Sequence, residues 1–188
     1  MAEDERTYEP DLWKKFFKFK DKGGFIALRP WLRAGKISVD IGETAAGGLV
    51  GNTLVWAPAL PFAVYLRAVA NDTAQKLYPA DGNDNPAETY MYYGGGKTAD
   101  GPVSRILKVS YWPNTTDGQA FQFKTGIFKA RESATGAFLP DMKSPVSQNS
   151  IKVTRKEIAE ISYVTDLALQ QWTSSPQWLS ELNGKERS

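Results

Sequence analysis

Between Trp13 and Lys36 the chain carries Lys14, Lys15, Lys18, Lys20, Lys22, Arg29, Arg33 and Lys36, opposed only by Asp21. Phe16, Phe17, Phe19, Phe25 and Trp31 are interleaved with them. Cations mixed with flat aromatic rings suit a phosphate backbone and the faces of unstacked bases, a chemistry that requires no special spacing. A second such set lies further on, at Lys108, Trp112, Gln122 and Lys124.

Other chemistries are excluded or unsupported. The 188 residues contain no Cys and no His, which removes thiolate nucleophiles, disulfides, Cys/His zinc sites and imidazole bases. No GxSxG elbow occurs, and "YYGGGKTADG" lacks the spacing of a phosphate-binding loop and leads into a strand, so it reads as a hairpin. Asp81, Asp84 and Glu88 form no converging cluster with other carboxylates. No cofactor, no metal and no enzymatic activity are expected. The net charge of +2 is too mild to name a partner, so the distribution of charge carries the information. No apolar run reaches bilayer length and "MAEDERTYEP" lacks a secretory signal's apolar segment, so a soluble intracellular protein without membrane partners is expected, in cytoplasm or nucleoid, or in host cytoplasm if viral.

The elements that must position these residues follow from periodicity. "FFKFKD", "FIALRPWL", "KISVDIG" and "NTLVWA" read as strands punctuated by glycines, with Gly23-Gly24 as a hairpin turn. A helix follows from Pro58, with Phe62, Leu66, Val69, Thr73 and Leu77 as its apolar stripe. The turn formers of "PADGNDNPAE" mark a linker. Beyond it "TYMYYG", "SRILKVSYW", "AFQFKTGIFK" and "NSIKVT" read as strands, the last two separated by a long loop through "ATGAFLPDMKSPVSQ". Thr154 and Glu157 have capping-box spacing, and Ile158, Ile161, Ala168 and Trp172 continue a final helix. Four strands and a helix thus occur twice. The expected fold class is α+β, one unit over 13–178 made of ββββα halves at 13–78 and 89–172, with linker 79–88, a mobile arm at 1–12 and a flexible tail at 179–188.

At this point the chain resembles the Whirly family of single-stranded DNA-binding proteins and, more distantly, the PC4 transcription coactivator fold. "VSRILKVSYWPNTTDGQAFQFKTGIFK" is similar to the family's basic strand, polar turn and aromatic strand, and "IKVTRKEIAEISYVTDLALQQW" to its last strand and helix. "KGGFIALRPW" is similar to its Lys-Gly-Lys-Ala-Ala-Leu segment, matching at Lys22 and Gly23 and departing at Gly24, Phe25 and Ile26. The resemblance implies a pseudo-symmetric Whirly-like unit, single-stranded DNA binding across the sheets with little sequence preference, and a homo-oligomer.

Alternation assigns the contacts. Phe25, Arg29 and Trp31 share a face opposite Ile26 and Leu28, and Arg33 continues it; Lys108 and Trp112 lie opposite Leu107 and Val109; Gln122 and Lys124 oppose Phe121 and Phe123. With Lys18, Lys20 and Lys22 these are the expected single-stranded DNA contacts. Each has a plainer reading. Phe17 and Phe19 are expected in the core, Lys18 and Lys20 serve equally as edge protection, and Phe25 and Trp31 suit burial at a packing interface. The expected role is protection or organisation of DNA in replication, recombination or repair. Two alternatives stand beside it: an RNA-binding or transcription-modulating relative, and a non-enzymatic, virion-type assembly protein using the aromatic surface as a protein interface.

Overall fold

A computed structural model describes residues 16–19, 23–31, 35–45, 48–71, 87–112 and 121–174. Four strands, β1 (Phe16–Phe19), β2 (Gly24–Trp31), β3 (Lys36–Ala45) and β4 (Gly48–Pro58), precede helix α1 (Ala59–Ala70). Four more, β5 (Ala87–Thr98), β6 (Gly101–Tyr111), β7 (Phe121–Glu132) and β8 (Phe138–Val153), precede α2 (Arg155–Thr173). Each set forms its own antiparallel sheet in sequential order. The fold class is therefore α+β with two ββββα halves, as the periodicity implies.

Alternation explains which face of each sheet is buried. Ile37, Val39 and Ile41 of β3 are fully or almost fully enclosed, as are Leu107 and Val109 of β6 and Phe121 and Phe123 of β7. They meet Phe62 and Leu66 of α1 and Ile158 and Ile161 of α2 in a single apolar core that draws on both halves. Full burial of each such side chain is worth about 1.5–3 kcal/mol. Polar contacts also cross between halves: Tyr65 Oη and Thr89 Oγ1 lie 2.8 Å apart, and Asn149 Nδ2 donates to Thr53 Oγ1 at 2.8 Å. Arg67 of α1 pairs with Asp166 of α2 at 2.8 Å on the helices' outer side.

The helix junctions follow local rules. Pro58 precedes α1 with φ −63° and extended ψ 128°, the conformation that lets proline end a strand and admit a helix. At α2 the capping box is complete: Glu157 N donates to Thr154 Oγ1 at 3.2 Å, and Thr154 N donates to a Glu157 carboxylate oxygen at 2.8 Å. These bonds satisfy two N–H groups that the first turn leaves without helical partners.

Two expectations are corrected. The stretch from Phe138 to Gln148 is a strand, not a loop: β8 pairs with the far end of β7 through Arg131↔Leu139 and Gly126↔Gln148. Pro140 and Pro145 hide it from pattern reading, yet β8 is the sheet's edge, where proline is tolerated. Ala87 and Glu88 belong to β5, opposite Tyr111 and Ser110, not to the linker. In β1 the backbone register sets Phe17 opposite Ala27, Lys18 opposite Ile26 and Phe19 opposite Phe25, and the side chains of this strand lie outside the described residues. The arm at 1–12, Thr73, Leu77, linker residues 79–86 and the tail lie outside the described residues. So does the side chain of Trp172. No helix of the described residues is long and apolar enough to cross a membrane.

Candidate nucleic-acid interface

The outward face of the second sheet assembles most of the second basic and aromatic set. With Leu107, Val109, Phe121 and Phe123 turned inward, Lys108 and Lys124 become direct cross-strand partners on the other side. Met91 flanks Lys108 from β5, and Ser150 flanks Lys124 from β8. The next row runs from Ser110 through Gln122 to Lys152. Trp112 directly follows β6, and Lys152 Nζ stands 5.4 Å from its ring centroid.

Two like charges placed directly opposite each other repel. Glu88 relieves this by pairing with Lys108, both side chains being a little over one-third exposed. Lys124 is exposed and forms no ion pair among the described residues. Gln122 Nε2 donates to Ser150 Oγ at 3.4 Å, which ties β7 to β8 on the same surface. The Trp112 Nε1 is enclosed without a hydrogen-bond partner among the described residues. Cations can neutralise phosphates here, Trp112 offers a ring to a base, and Gln122 and Ser150 offer hydrogen bonds.

The first sheet contributes less. Arg29 is exposed on β2, and its carbonyl accepts a 3.2 Å hydrogen bond from Ser38 Oγ. Phe25, expected to project as a stacking surface, is only 5% exposed. The cause lies in its register partner Gly42: a Cβ there would stand 2.7 Å from Phe25 Cε1, so the missing side chain is what admits the ring. Trp31 pairs with Lys36, and Lys18 with Ile26, as backbone positions. Lys20, Lys22 and Arg33 lie outside the described residues. The expected set thus divides, with Lys108, Trp112, Gln122 and Lys124 gathered on one face and Arg29 on the other sheet.

Sequence reasoning missed Lys152, Glu88, Met91 and Tyr93 on the gathered face. Lys152 was legible, since Ile151 and Val153 point inward on either side of it. Met91 and Tyr93, 38% and 51% exposed, were not, because "TYMYY" is aromatic on both faces. Glu88 lies in β5, while Asp81 and Asp84 lie outside the described residues. Among the described residues no group of three or more His, Cys, Asp or Glu could hold a metal ion.

No protein-family model matches the chain, and no curated protein is similar to it by sequence. Among solved structures, the crystal structure of WHY1, a Whirly protein, from Arabidopsis thaliana is similar to it with a TM-score of 0.48 and 12% identity, covering 93% of this chain and 91% of that one.

Proposed function

We propose that the chain binds single-stranded DNA with little sequence preference, through the outward face of β5–β8, as a binding module that protects or organises DNA in replication, recombination or repair. The observation that carries this reading is the meeting of Lys108, Lys124 and Lys152 with Trp112 on one sheet face. Phosphate neutralisation by these lysines releases counterions, so affinity falls with rising salt, and base stacking adds a part that salt leaves intact.

Self-association is the second part of the proposal. Leu60 and Val64 of α1 are 67% and 66% exposed, and Tyr163 and Leu167 of α2 are 65% and 38% exposed, each pair one helical turn apart. The Arg67–Asp166 pair joins the two helices beside them. Apolar residues in such a row suit a second copy of the chain.

Titration of intrinsic tryptophan fluorescence with oligothymidine and with the matching duplex, at low and moderate salt, tests the reading. Quenching by the single strand alone, weakened by salt, is expected. A response to neither nucleic acid rejects it and leaves the face to a protein partner. An RNA oligomer of equal sequence, competing against the DNA, separates a DNA binder from an RNA binder by its 2′-OH.

A further inference from the structure

Beside the two lysines the sheet face dips into a groove of about 480 Å³, walled by Ile106, Phe128 and Met142 and edged by Gln148, Ser150 and Lys124. Two features make it a built site. Phe128 is only 2% exposed, its ring lying over Gly126 on the groove floor. Met142 stands in the irregular part of β8, between the Ala130↔Pro140 and Phe128↔Pro145 pairs, where the register shifts. Asp141 fixes this segment: its carboxylate accepts from Lys143 N at 3.0 Å and from Ser144 Oγ at 2.7 Å. The bulge therefore holds Met142, which is 60% exposed, as a wall of the groove.

We infer that this groove seats one nucleobase of the bound single strand against Met142, over a floor closed by the buried Phe128, with the Gln148 amide at the base edge and the adjoining phosphates on Lys108 and Lys124. The inference rests on the proposed function and adds to it a seat for a base beside the cationic surface. A pocket with apolar walls and few polar edges fits a flat heterocycle. A thioether is a soft wall that accommodates different rings, and a carboxamide carries both donors and an acceptor, so it can satisfy more than one base edge. Lys124, free of ion pairs among the described residues, supplies the charge complementarity that an anionic strand needs and a neutral ligand would not.

The test compares oligothymidine with an abasic sugar-phosphate oligomer of equal length, each titrated into wild type, Met142→Ala, Met142→Leu, Gln148→Ala and Lys124→Ala. Met142→Ala and Gln148→Ala are expected to weaken oligothymidine binding about five-fold or more, as loss of part of a stacked base does. They should leave the abasic oligomer and the salt slope unchanged, and Met142→Leu should bind as wild type does. Lys124→Ala should weaken both ligands and flatten the slope by about 0.7. Wild-type binding with unchanged Met142→Ala and Gln148→Ala affinities overturns the base seat alone. Failure of wild type to bind either polymer overturns the proposed function and the seat with it.

Discussion

Lys152 Nζ lies 5.4 Å from the centre of the Trp112 ring, so one face of the only described tryptophan on the second sheet's outward surface already carries a cation. Cation–π contact at a partly exposed site is worth about 0.5–1 kcal/mol, less than the roughly 1–3 kcal/mol of a stacked base. A base can therefore displace the ammonium, which is then free for a phosphate. Trp112→Ala is expected to weaken oligothymidine binding by about 5- to 150-fold and Trp112→Phe by much less. Fluorescence anisotropy measures both. Equal affinity of Trp112→Ala and wild type would remove Trp112 from the site.

Glu88 neutralises Lys108 on a face where every other charge in that row is positive. A phosphate must compete with this carboxylate for the ammonium, so the pair restrains affinity. Glu88→Gln removes the competitor and adds one net positive charge. Tighter single-strand binding is expected, with the log–log salt slope steeper by about 0.7. Weaker binding by Glu88→Gln would mean that the carboxylate positions Lys108 instead of restraining it.

If Leu60 and Val64 pack against a second chain, a carboxylate in that row must be desolvated on assembly. Val64→Asp should shift wild-type oligomers to monomers in sedimentation velocity while leaving the fold intact, because Val64 is 66% exposed in the single chain. An unchanged sedimentation profile would place the assembly surface elsewhere.

Much of this arrangement was legible because the inward residues set the phase. Once Leu107 and Val109, Phe121 and Phe123 are assigned to the core, Lys108, Gln122 and Lys124 have only the other face to occupy. The capping box at Thr154 and Glu157 was legible for the same local reason. Failures occurred where the deciding partner is distant in sequence. Burial of Phe25 depends on Gly42 in the neighbouring strand. The distal half of β8 pairs with β7 despite two prolines and register shifts, so no period of two survives there to be read, and Met142 was invisible as a site residue.

Gly42 offers a direct test of that non-local contact. A Cβ at this position would lie 2.5 Å from the Gly51 carbonyl oxygen and 2.7 Å from Asn52 Cβ, as well as close to the Phe25 ring. Because a backbone atom is among the obstacles, a rotamer change cannot clear the way. Gly42→Ala should destabilise by about 1–3 kcal/mol. Thermal unfolding should show the midpoint falling by about 2–4 °C for each kcal/mol. An unchanged midpoint would mean that the hairpin relaxes at no cost.

Tyr90 couples the core to alkaline pH. Its ring lies 4.8 Å from that of Tyr65 and 5.2 Å from that of Phe62, centre to centre. Burial, followed by the neighbouring Tyr92, raises its phenol from the ordinary 10.0 to about 12. The folded state thus keeps a proton that the unfolded chain releases first. Stability from this group is fully present below about pH 10 and is lost as pH rises to about 12. Tyr90→Phe keeps the ring and removes the titration. Urea unfolding between pH 9 and 12 should show a shallower loss of stability for Tyr90→Phe than for wild type. Parallel curves across that window would mean that the phenol reaches water readily enough in the folded protein to titrate as it does in the unfolded one.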